Sequence, residues 1–303
     1  MRGLLKLSKS SPIPALHFLL GELPVEGVLH IRTLGLFHNL WCNPNSTVFA
    51  MVKYILMMCS DNSTTWANHI QIICEKYDLP PLLALLQTPA WSKSDWDTLV
   101  KTRVTVWHER ALRLQSMSNS KMEYLNVQLY GLSGRCHPAL QGIMTTREAK
   151  KLRLHIKFLS GDFLTNERRA IDQPALNPAC SLCLARVPSI ITTESTEHVL
   201  VSCRATSGVR SRLFPELMNT VAKVQPMSRI LDKNVSPKIL AQFITDCASF
   251  NLPTSVRIPV HNPEISEIYS VVRNWCYGIA RERSRLLQQL SDTDINLTKF
   301  IYM

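Results

Sequence analysis

Three cysteines and a histidine stand in the pattern Cys180-x2-Cys183-x14-His198-x4-Cys203, and no other feature of the sequence limits the possible folds as tightly. A four-coordinate metal site takes nitrogen and sulfur donors at tetrahedral angles. A Cys-x2-Cys turn supplies two of them from one loop, and the fold must bring back the other pair. That second pair carries its own condition. Five residues advance an ideal α-helix to about 140° past a full turn, so His198 and Cys203 cannot both face one ion from the middle of a straight helix. A short helix from near Thr196 meets the condition if His198 lies in an early turn and Cys203 at or beyond the end, with residues 204–208 as loop. Cys180, Cys183, His198 and Cys203 are therefore read as ligands of one structural Zn2+, whose filled coordination leaves no position for a catalytic water. Three other readings compete: a disulfide, an iron–sulfur centre, and three buried thiols beside an unrelated histidine.

The rest of the chain repeats its apolar residues with a helical period, which predicts a mainly α fold with little or no β-sheet. Val48, Met51, Val52, Ile55 and Leu56 mark one helix between Pro44 and Cys59. Trp66, Ile70 and Ile73 mark another from Asn62 to Tyr77, stopped by Asp78-Leu-Pro-Pro. Ser92-x-x-Asp95 resembles an N-terminal cap and opens a basic amphipathic helix to about Met117. Gly131, Gly134, Pro138 and Gly142 interrupt the pattern and suggest a boundary. A basic helix then runs from Thr145, followed beyond the Cys/His cluster by helices over 207–224, 236–250 (Pro237 in the first turn) and 262–291. Trp66, Trp96, Trp107 and Trp275 fall on apolar helical faces and are expected in the core.

Net charge is +11, and residues 101–170 alone carry an excess of +8, just before the cluster. Arg135, His137, Arg147, Lys150, Lys151, Arg153 and Lys157 are the candidates for contact with a nucleic-acid backbone, where clustered cations on a rigid element are what phosphate neutralisation needs. Lys150, Arg153 and Lys157 share one helical face. Arg281, Arg283 and Arg285 read as a solvated face of the last helix. No stretch is apolar and long enough to span a bilayer, no secretory signal is convincing, and nine cysteines in apolar surroundings fit a reduced, intracellular setting in nucleus or cytoplasm.

The succession HPAL (137–140), HIKFLSGDFLTNER (155–168), the Cys-x2-Cys…Glu-His-x4-Cys knuckle and Arg204-x5-Arg210-x-Arg212-LFPEL resembles the C-terminal region of reverse transcriptases of non-LTR, LINE-type retrotransposons. The resemblance extends over nearly the whole chain, whose N-terminal half is similar to the helical segment after the polymerase palm. It implies thumb- or linker-like helices over 1–130, a basic helix with a CCHC zinc-binding module over 131–215, and a C-terminal helical region over 216–303. It also implies RNA or DNA as partner, together with the upstream polymerase part of the parent polyprotein. One departure is Leu184, which stands where such knuckles often carry a glycine; a left-handed turn there would strain a leucine.

Catalysis is not expected of this chain alone. Two-metal nucleotidyl transfer needs paired carboxylates, and the sequence has no Asp-Asp pair. Asp95 and Asp97 belong to a helix start. Two readings remain: a noncatalytic nucleic-acid-binding region of a retroelement polymerase, or a zinc-stapled helical protein-interaction module that binds no nucleic acid.

Overall fold

The computed structural model describes residues 7–9, 11–58, 65–141, 145–189, 191–224, 235–250 and 263–301. Its α-helices are α1 (Ile13–Leu20), α2 (Val25–Trp41), α3 (Thr47–Met58), α4 (Trp66–Lys76), α5 (Leu82–Gln87), α6 (Lys93–Met117), α7 (Thr146–Leu159), α8 (Asn166–Asp172), α9 (Ser181–Arg186), α10 (Ser207–Ala222), α11 (Pro237–Thr245) and α12 (Pro263–Ile301). The fold is mainly α. Among the described residues the only β-pairing is an isolated antiparallel bridge between Ala179 and Thr193. No helix there is long and apolar enough to cross a membrane. Cys59, Asn62 and Gly142, which figured in the expected helix ends and boundary, lie outside the described residues.

The helix starts follow the side chains available to accept the first free backbone N–H groups. Ser92 Oγ accepts from Asp95 N at 3.2 Å, Thr145 Oγ1 from Glu148 N at 3.2 Å, and Ser236 Oγ from Ile239 N at 3.3 Å ahead of Pro237. The Asp78 stop is explicit as well: Asp78 takes a left-handed φ of 52° after α4.

Contacts divide the chain into two compact units, one of residues 1–19, 116–130 and 136–303, the other of residues 20–115 and 131–135. Two units thus stand where three regions were expected, and nothing separates 216–303 from the Cys/His segment. α12 is the reason. Ile265, Ile268, Tyr269, Val272, Trp275, Cys276 and Ile279 recur at helical spacing and are buried. They share one core with Phe158 of α7, Val209 and Leu217 of α10, and Phe243 of α11. The smaller unit has its own core, built on Leu34, Phe37, Trp41, Ile70, Ile73 and Trp96. Trp96 and Trp275 are buried as expected, whereas Trp66 and Trp107 are 39% and 37% exposed. Lys76 Nζ lies 4.3 Å from the centre of the Trp107 ring, so that indole serves a surface cation–π contact rather than the core.

Candidate metal centre and basic surface

The metal segment is held from below by the residues between α7 and α8. Gly161 ends α7 with φ 67°, and a Cβ there would fall 1.9 Å from Lys121 O, so no side chain fits this turn. Thr165 caps α8, accepting from Arg168 N at 3.3 Å. Asn166 then donates from Nδ2 to Ala179 O at 2.7 Å, and Glu194 Oε2 accepts from Asn166 N at 2.8 Å. The Ala179–Thr193 bridge closes the loop: Cys180 N donates to Thr192 O and Glu194 N to Pro178 O, each at 2.8 Å. Cys180 is thereby set at the N-cap of α9, with Cys183 in the helix. Leu184 is helical and takes no left-handed φ, so the missing glycine costs nothing here.

The other pair is brought in by a different device. Thr196 and Glu197 begin a helix that continues as a π-turn over His198–Ser202. Its closing bond runs from Cys203 N to His198 O at 2.7 Å. A ring closed from residue i to i+5 holds one residue more than an α-turn, so residues five apart come round to one side. The expected solution, Cys203 at the end of a short helix, is present, and the wider turn completes it. Residues 204–208 are not loop: Arg204–Thr206 form a 3-10 turn that leads into α10 at Ser207.

These elements converge four donor atoms within 4.8 Å of one another, all from buried residues. Cys183 Sγ lies 3.4 Å from His198 Nε2 and 3.8 Å from Cys203 Sγ, and Cys180 Sγ lies 4.0 Å from Cys203 Sγ. The sulfurs are too far apart for a disulfide bond of about 2.05 Å. The hydrogen bond from Cys180 draws the Cys203 thiol below its ordinary range; burial opposes this, while His198 and the Ala205 N–H assist. Cys180 is pushed up in turn, by the same hydrogen bond and by burial. Such a set can hold a metal ion, and with four protein donors it leaves no position for a substrate. Leu286, Leu287 and Leu290 of α12 cover the cluster.

Two buried contacts around the centre had no signal in the sequence. Glu194, 1% exposed, receives Arg283 Nε at 3.0 Å and Nη2 at 2.8 Å. Arg283 is therefore no member of a solvated face, although Arg281 and Arg285 are exposed. On the inner side, Trp275 Nε1 donates to Leu200 O, inside the π-turn, at 3.1 Å.

The seven candidate phosphate contacts separate. His137 is buried: its Nδ1 accepts from Ala139 N at 3.1 Å and its Nε2 faces Asp246 Oδ1 at 3.3 Å, so it is removed from the set. Arg135 is exposed but belongs to the smaller unit. On α7, Arg147 and Lys150 are exposed and Arg153 and Lys157 half-buried, while Lys151 Nζ pairs with Glu148 Oε1 at 2.6 Å. Arg147 and Lys151 line a groove with Arg212 of α10 and with Arg281 and Arg285 of α12, three arginines outside the expected set. Comparison with known families, curated proteins and solved structures finds no match for this chain.

Proposed function

We propose that this chain is a noncatalytic, nucleic-acid-binding region of a non-LTR retrotransposon reverse transcriptase, stapled by one structural Zn2+ on Cys180, Cys183, His198 and Cys203. The observation that carries the reading is the convergence of the four donors next to a cation-bearing α7. Zinc–sulfur bonds of about 2.3 Å at tetrahedral angles require sulfurs about 3.8 Å apart. The 3.8 and 4.0 Å separations seen here suit that requirement. Three thiolates and an imidazole also suit zinc better than magnesium or calcium, which take oxygen ligands. His198 donates no second hydrogen bond, since its Nδ1 is buried without a partner among the described residues. Its ring is held by packing, and by the backbone bond from its own N to Ser195 Oγ at 3.0 Å.

Zinc, when bound, supplies folding free energy to the segment and performs no chemistry on a ligand. The residues of the segment then fix the start of α10 and the outer part of α12, and with them the cations those helices carry. RNA or DNA phosphate is the partner that such a surface suits, and the upstream polymerase part of the parent protein would supply the catalytic carboxylates.

Replacing Lys150, Arg153 and Lys157 together by Ala tests the α7 contribution. Each lost phosphate contact flattens the dependence of log affinity on log salt by roughly 0.7 for a single strand and 0.9 for duplex DNA. Sequence preference stays unchanged, because phosphates carry no base information. Anisotropy titrations of a short RNA and a short duplex at several salt concentrations read the slope. Wild-type chain that binds neither nucleic acid at low salt would leave the protein-interaction reading in its place.

A further inference from the structure

Beside the α7 stripe, cations also line a furrow where α7, α10 and α12 meet. Arg147 and Lys151 come from α7, Arg212 from α10, and Arg281 and Arg285 from α12. Among the described residues Glu282 is the one carboxylate lining it, and it is engaged by Arg285 at 2.7 and 2.9 Å. The furrow encloses about 500 Å³ over a floor that includes Gly278 and Tyr277. A Cβ at Gly278 would meet Leu213 Cδ1 and Val209 Cγ1 at 3.2 Å, so α10 and α12 are packed closely and their cations are held on rigid supports. A second concavity is lined by Lys157, Arg169, Phe163 and Ser284 among others, and by Asp162, whose carboxylate accepts from Ser8 N at 2.9 Å. Tyr277 and Arg281 line both, so an aromatic ring and a guanidinium stand at the border of the two.

Closely packed helices have axes about 8–10 Å apart, so a furrow between them is narrow. Cations along a narrow path with a half-buried aromatic ring between them are what binds single strands: phosphates follow the charges and a base stacks on the ring. Building on the nucleic-acid reading above, we propose that this path seats one strand of RNA or DNA, with backbone phosphates on Arg147, Arg212 and Arg281 and one base against Tyr277. Duplex is expected to bind there more weakly than a single strand.

The test uses the full chain with a fluorescein-labelled single-stranded 12-mer and the same sequence as duplex, titrated by anisotropy at several salt concentrations. The proposal expects the single strand to bind more tightly. Arg212→Ala with Arg281→Ala should flatten the single-strand salt slope by about 1.4, two contacts at roughly 0.7 each. Tyr277→Ala should weaken single-strand binding by roughly five- to 150-fold, with Tyr277→Phe restoring it, because the ring and not the hydroxyl does the stacking. Both arginines are exposed, so their double variant reports on the path even if Tyr277→Ala disturbs packing. Nucleic acid bound with an unchanged slope in the arginine variant, or duplex bound as tightly as single strand, overturns the proposal and leaves the wider reading standing. No binding of either nucleic acid by the wild type overturns both.

Discussion

Chelating the metal from the purified, reduced protein is expected to unfold residues 180–203 locally while the helices between residues 45 and 80 keep their amide protection. Zinc ligation in small modules supplies on the order of 10–16 kcal/mol of apparent folding free energy, and the secondary structure of the segment itself is short. α9 is six residues long, the bridge at Ala179 is a single pair, and the π-turn spans five residues. None of these is stable in isolation. Cys183→Ser should act like the chelator, since that sulfur faces both His198 and Cys203. Hydrogen exchange resolved by mass spectrometry gives the local answer, and elemental analysis should find one zinc per chain. Metal-free protein whose α9 amides remain as protected as before would remove the zinc reading.

The second large effect is expected at a carboxylate the metal does not touch. Asp246 is completely buried and receives Tyr130 Oη at 2.7 Å, Tyr269 Oη at 3.0 Å and His137 Nε2 at 3.3 Å. Asp246→Ala strands three polar side chains in the core of the larger unit, which should cost about 3–5 kcal/mol. Asp246→Asn keeps one oxygen acceptor and should lose less. Burial alone would raise the Asp246 pKa, but the nearby His137 and the hydrogen bonds from His137, Tyr130 and Tyr269 outweigh it and hold the carboxyl below its usual range. A carboxylate depressed in the folded state stabilises fully above its unfolded pKa, and that stability is lost as pH falls through the folded value. The difference between wild type and Asp246→Ala should therefore be constant near neutrality and shrink below about pH 4. Calorimetry across that range measures it, and a variant as stable as wild type at pH 7 would show that the cluster contributes nothing net.

What could be read in the sequence was local. The helices announced themselves by period and caps, and Cys180, Cys183, His198 and Cys203 by spacing, because ligand sets must be near in sequence when one loop and one turn present them. The π-turn was hidden, since its sequence has no signature and only the need to align His198 with Cys203 argued for something unusual there. Long-range pairings were out of reach. Nothing in the sequence tells that Arg283 will find Glu194 while Arg281 and Arg285 stay outside, for the three sit within five residues of one another and differ only in which way the helix turns them. His137 misled for the same reason: a histidine in a basic stretch looks available until the fold sets Asp246 beside it.

The π-turn has a further consequence. Its carbonyl at Leu200 accepts from Trp275, while the candidate donors His198 and Cys203 stand at its two ends. Of the six tryptophans in the sequence, Trp275 alone belongs to the unit with the Cys/His cluster; Trp41, Trp66, Trp91, Trp96 and Trp107 belong to the other. The indole is thus wired to one side of a ring whose other side carries two of the four donors that could hold a metal ion. Its emission is expected to change when a metal ion is added or chelated, an optical readout that needs no label on the chain.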